Sequence, residues 1–186
     1  MNIETESNNN SSEEFLINEF KKYDNKTPFF TLNGKNTLGR VIDIIDGDTI
    51  KIIIPLFDSF YKFTVRLNGI DTCELKSNNE ENKKLGIKAK VRLTELICNE
   101  NILLDKNELK TLLNNNVFLI YIKCYNFDKY GRLLCDISKN NKSKYFSDIL
   151  LEEKLAYKYT GKTKLNEEEQ QALLILQHSE RVEQSV

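Results

Sequence analysis

Phe60-Tyr61-Lys62-Phe63-Thr64-Val65-Arg66-Leu67 alternates apolar Tyr61, Phe63, Val65 and Leu67 with polar Lys62, Thr64 and Arg66, and runs on through Asn68-Gly69-Ile70 to Asp71, Thr72, Cys73 and Glu74. A period of two is the pattern of a half-buried strand. It puts Arg66 on the face opposite the apolar set, where it can serve a site. Two further strand-like runs precede it, Arg40 to Ile45 and Thr49 to Pro55, so an antiparallel meander is expected over Leu38 to Leu67.

Downstream, Ser77 to Lys84 reads as a polar loop. Leu85, Ala89, Leu93, Leu96 and Ile97 then recur at helical spacing, which predicts a helix over Leu85 to Asn99 lying on a sheet. Ile102 to Asn116 carries no clear pattern. Val117 to Tyr125 and Leu133 to Ser138 read as strands four and five, joined by the charged turn Asp128 to Arg132. A second helix is expected over Ser147 to Ala156. Asn166 and Glu169 have capping-box spacing before a third, carrying Ala172, Leu173 and Leu176. The class is therefore α+β, mainly β, with five strands and about three helices.

The 186 residues, 40% hydrophobic and 30% charged, suit one domain with a well-buried core. Met1 to Ser12 is rich in Asn, Ser and Glu and is expected to be disordered. We divide the chain into an N-terminal extension (1–35), a central domain (36–160) and a C-terminal helix and tail (161–186). No apolar run approaches the ~20 residues of a membrane span and no secretory signal is visible, so an intracellular protein with no membrane partner is expected. The Asn- and Lys-rich composition fits an AT-rich genome, such as that of a large DNA virus, a parasite or a low-GC bacterium. With no heptad pattern, a monomer is the default. The formal charge is only −1, so any polyanion must be held by a local basic patch. Cys73, Cys98, Cys124 and Cys135 lack metal-site spacing and read as free core thiols. His178 is the sole histidine, which excludes a histidine-pair mechanism.

Asp48 follows an Asp-Gly pair, and by itself that marks only a hairpin turn with a solvated carboxylate. Asp71 and Glu74 change the reading. They leave a strand three residues apart, and if that end abuts the Asp48 turn the acidic oxygens repel unless a cation sits among them. Calcium suits an all-oxygen site of this kind. Arg66 and Arg132 are surface ion-pair partners on one reading and phosphate clamps on the other, since planar guanidinium matches a phosphoryl group bidentately. Tyr130 and Lys129 can add a stacking face and a point charge.

In order and spacing, Asp-Gly-Asp-Thr (46–49), Arg-x-x-x-x-Asp-Thr-x-Glu (66–74) and Asp-Lys-Tyr-Gly-Arg (128–132) resemble the staphylococcal nuclease (thermonuclease) family over about Leu38 to Thr160. The resemblance implies a five-stranded OB-type barrel with helices. It implies that Asp48, Asp71 and the Thr72 carbonyl ligate Ca2+, that Glu74 positions or activates the attacking water, and that Arg66 and Arg132 hold the scissile phosphate. Lys129 and Tyr130 would contact the neighbouring phosphate, and Tyr157 and Tyr159 would lie beside the base. The implied reaction is calcium-dependent hydrolysis of DNA and RNA that leaves 3′-phosphate ends. The alternative is a catalytically silent module of the same fold that binds nucleic acid or protein. Cys73 stands where the family has proline, the Ile102 to Asn116 connection is long, and the N-terminal extension is extra and could recruit a partner.

Overall fold

The computed structural model describes residues 4–99, 105–161, 165–166, 168–170 and 172. The chain divides into two units, Met1–Thr31 and Leu32–Val186, each considered by itself. In the first, helix α1 spans Glu4–Phe20. Over Glu4 to Ser12 this differs from the disorder expected for Met1 to Ser12, whose first three residues lie outside the described ones. The stretch contains neither Gly nor Pro, so the backbone can satisfy its own hydrogen bonds along a helix without a buried apolar face. Phe15, Leu16 and Phe20 on its C-terminal half are exposed.

The second unit is built on strands β1 (Asn36–Ile44), β2 (Thr49–Leu56), β3 (Ser59–Leu67), β5 (Phe118–Phe127) and β6 (Leu133–Ser138), with the two-residue β4 (Ile70–Asp71) and β7 (Tyr157–Lys158) paired apart. The five long strands close a barrel in the order β1-β2-β3-β6-β5. The expected meander is present, with Ile50↔Val65 and Ile52↔Phe63 in register between β2 and β3. Only β3 and β6 run parallel, over Val65↔Leu133 to Leu67↔Cys135, and that pairing brings the Arg132 turn to the end of β3 that carries Arg66. Val41, Ile50, Ile52, Ile54, Val65, Ile120, Ile122, Leu133 and Ile137 fill the interior. Burying each such side chain stabilises by about 1.5–3 kcal/mol. All four cysteines are free and buried, as expected of core thiols.

Helix α2 runs over Glu80–Cys98 and buries Ala89, Leu93 and Ile97. Its first turn lies in the stretch read as a loop, and the physical reason is a cap. Asn79 accepts from the backbone of Glu81 and Asn82, and Glu80 and Glu81 sit where the helix dipole favours negative charge. A helix absent from the sequence reading, α3 (Lys106–Asn115), fills most of the unassigned segment. Asp105 and Glu108 form its capping box, Leu109 and Leu113 are its buried face, and Arg40 Nη2 donates to the Asn114 carbonyl at 2.9 Å in its last turn. Among the described residues four helices are delimited and residues 168–170 and 172 are helical as well, in keeping with an α+β barrel that carries several helices. The capping box at Asn166 and Glu169 is formed, with reciprocal bonds of 2.8 and 2.9 Å, whereas Leu173, Leu176 and His178 lie outside the described residues. None of the described helices is long and apolar enough to cross a membrane.

Helix α4 (Phe146–Glu152) ends before Ala156, the expected limit, because Lys154 turns left-handed at φ 59°. Leu155 N–H reaches back to Leu150 O at 2.9 Å and Lys154 N–H to Leu151 O at 3.1 Å, the paired bonds of a Schellman stop. A lysine is costly there. It carries a Cβ where glycine is preferred, and its buried Nζ has no hydrogen-bond partner. Lys154→Gly should raise stability by about 1 kcal/mol, seen as a melting-temperature increase of roughly 2–4 °C in calorimetry.

Candidate active site

Thr49 stands opposite Arg66 in the β2–β3 ladder, so Asp48 enters β2 beside the Arg66 guanidinium, and Leu67 N–H fixes the Asp48 carbonyl at 2.8 Å. Arg66 does leave the barrel interior. It is nevertheless buried, at 7% exposure, beneath the loops that follow. Its Nη2 pairs with Asp71 Oδ1, and its Nη1 lies against Asp48 Oδ2 as an ion pair without the alignment of a hydrogen bond. Both carboxylates have neutral donors as well. Asp48 accepts from Thr49 Oγ1 at 2.9 Å and from Thr72 N and Oγ1 at 2.9 and 3.1 Å. Asp71, paired with Tyr157 across the β4–β7 ladder, accepts from the Tyr157 hydroxyl.

The second arginine comes from the β5–β6 turn. Asp128 Oδ1 accepts from the backbone of Tyr130 and Arg132 at 2.8 and 2.9 Å, Oδ2 accepts from Arg132 Nε at 2.7 Å, and Gly131 turns at φ 78°. Burial pushes the Asp128 carboxyl up, but these hydrogen bonds outweigh it and hold the group below the usual carboxylate range. The guanidinium stacks 5.4 Å from the Tyr130 ring centroid, and Lys129 approaches the same ring. Among the described residues, no hydrogen bond engages the two Nη nitrogens of Arg132.

These groups line a cleft of about 530 Å³ that gathers Asp46, Asp48, Arg66, Asp71, Thr72, Cys73, Glu74, Lys129, Tyr130, Arg132 and Tyr159. The motifs therefore meet in space. Glu74 is exposed at the rim. Tyr159 also borders an adjoining, more apolar hollow with Leu134 and Gly161. Tyr157 corrects the sequence reading. At 1% exposure it does not face the cleft, and it serves Asp71 instead. Burial, with the Asp71 bond, pushes its phenol pKa far up, so it remains a donor.

The sequence reading also missed what holds the two acidic loops in place. Gly47 is not among the glycines with positive φ, so it does not supply a left-handed hairpin turn. It is glycine for space: a Cβ there would sit 2.6 Å from Ala89 Cβ and 3.0 Å from Thr72 Cγ2. Gly86, one turn before Ala89 on α2, would place a Cβ 2.5 Å from the Cys73 carbonyl. A glycine inside a helical pattern was the available signal.

Does this donor set suit a hard cation? Among the described residues, no group of three or more His, Cys, Asp or Glu side chains stands in a metal-holding array. Calcium accepts carboxylate, carbonyl and water oxygens in flexible geometry, so two carboxylates and a backbone carbonyl suffice in kind. The charge balance favours a divalent ion. Three acids, Asp46, Asp48 and Asp71, stand around one guanidinium, Arg66, and burial pushes the Asp48 carboxyl up to about 8 although Arg66 opposes the rise. In kind, these oxygens suit the ion.

Two outcomes follow from this geometry. Gly→Ala within a helix ordinarily gains up to about 1 kcal/mol, but the clash at Cys73 outweighs that, and Gly86→Ala should lose on the order of 1 kcal/mol in chemical denaturation. For Asp48, a folded pKa above the ordinary 3.8 means that its contribution to stability is complete below that value and is lost as pH rises through about 8. In chelator, Asp48→Asn should therefore gain on the wild type as pH is raised from 5 to 9, as read by denaturation midpoints.

A family model described as "Staphylococcal nuclease homologue" matches residues 64–185. No curated protein matches the chain significantly. The matched span holds Arg66, Asp71, Thr72, Glu74 and the Asp128–Arg132 turn, and the β2–β3 register adds Asp48 from outside it. With a closed five-stranded barrel under that match, the chain belongs to the family of staphylococcal nuclease homologues.

Proposed function

We propose that the protein is a calcium-dependent, sugar-nonspecific nuclease that hydrolyses phosphodiester bonds of DNA and RNA. The observation that carries this reading is the convergence of Asp48 and Asp71 with Arg66 and Arg132 in one cleft, with Glu74 at its rim. Asp48, Asp71 and the Thr72 carbonyl would hold Ca2+, which when bound supplies Lewis acidity and a template for the phosphate.

The chain's own groups do the rest. Arg132 offers two uncommitted Nη nitrogens on a guanidinium pre-oriented by Asp128, the geometry that grips a phosphoryl group bidentately. Arg66, once off its carboxylates, supplies a second grip. Glu74 holds the attacking water in line with the leaving 5′-oxygen: a water O–P bond forms, the P–O5′ bond breaks, and the phosphate stays on the 3′ side. Tyr130 and Lys129 steady the neighbouring phosphate, and Tyr159 offers a face to the base. One chain supplies every group, so a monomer suffices.

The test is digestion of single- and double-stranded DNA and RNA with calcium or chelator, followed by end-group analysis. We expect calcium-dependent products with 3′-phosphates and a loss of about 10²–10³ in rate for Arg132→Ala. Retained binding without cleavage would favour a silent module of the same fold.

A further inference from the structure

Arg66 is committed to Asp48 and Asp71 in the folded chain, at the place where a cation would have to bind. We propose that Arg66 is a resident counter-ion that calcium must displace, so that the protein's own guanidinium sets how tightly the cation binds. The inference rests on the reading of the cleft as a calcium site.

The argument starts from electrostatics. Two carboxylates at 4% and 3% exposure cannot both stay ionised next to one another without a positive charge between them. Arg66 supplies it, and its position is fixed from behind by the β2–β3 register. A guanidinium and a hard cation then compete for the same oxygens, Asp48 Oδ2 and Asp71 Oδ1. Tyr157 holds the other oxygen of Asp71, Thr49 holds Asp48 Oδ1, and Thr72 shares Asp48 Oδ2 with Arg66, so the carboxylates keep neutral donors when the guanidinium leaves. The displaced side chain borders the cleft shared with Arg132, so leaving the carboxylates delivers it to the phosphate. Arg66 is thus a structural cation without calcium and a substrate group with it.

Because the bound form must give up an ion pair, calcium affinity in the wild type is reduced by the strength of that pair. Removing it has two opposed effects. In the absence of calcium, Arg66→Met leaves two buried carboxylates unpaired and is destabilising. In its presence no guanidinium competes for the carboxylates, and the cation binds more tightly. A residue that only touches phosphate would show neither effect.

The experiment is calorimetric titration of calcium chloride into the chelator-stripped full chain, as wild type, Arg66→Met and Arg132→Met, without nucleic acid. Arg132→Met removes one cleft charge that faces Asp128 instead of the two carboxylates, and so reports the general charge effect. We expect Arg66→Met to bind calcium roughly tenfold or more tightly than wild type, with Arg132→Met close to wild type. Equal affinities for wild type and Arg66→Met would overturn the inference while leaving calcium-dependent cleavage standing, and so would equal tightening in both variants. No calcium binding by any of the three would overturn both readings. If Arg66→Met does not fold, the wild type itself decides by NMR of arginine side-chain N–H groups. A solvent-protected Arg66 guanidinium that becomes exchangeable on adding calcium supports displacement, and one unchanged by saturating calcium refutes it.

Discussion

One guanidinium between two carboxylates is the interaction on which this arrangement depends. Asp48 comes from the β1–β2 loop and Asp71 from the short strand after β3, and each would be costly to bury alone. Arg66 makes their burial tolerable, and in doing so it ties the ends of three strands together. Removing one partner of such a group is far more damaging than replacing the whole set, because the remaining charge is stranded in a low-dielectric site. The geometry of the cleft is therefore a consequence of charge neutralisation before it is a matter of catalysis.

Helix α2 acts as the gauge between the two acidic loops. Ala89 rests on Gly47 in one loop and Gly86 rests on the Cys73 carbonyl in the other, so a single rigid element sets their separation. The contacts are backbone-close, which fixes distance better than long side chains can. Cys73 occupies the middle of the second loop and is buried, with its carbonyl against Gly86 of the helix.

Much of the barrel was legible because strand alternation is local. Tyr61, Phe63 and Val65 announce β3, and their partners on β2 follow from the same period. The cleft residues were legible in kind, since paired acids and turn-borne arginines at strand ends imply a charged site. What escaped the sequence was long-range or polar. The capped first turn of α2 and the whole of α3 begin with polar residues that periodicity ignores, yet Asn79 and Asp105 start them through side-chain hydrogen bonds. Gly47 looked like a turn glycine because its packing partner, Ala89, is distant in the chain. The resemblance put Tyr157 beside the base, and nothing near it in sequence tells that it faces Asp71 instead.

The β4–β7 ladder also has a meaning in time. Asp71 is held by a tyrosine 86 residues later, and the barrel is closed by β5 and β6, which are likewise made after the first three strands. Such distant pairings form late as the chain emerges in order from the ribosome. The cleft groups on β3, β4 and the β5–β6 turn thus come into their final places only after residue 157 has been made, so the site is among the last parts of the barrel to be assembled.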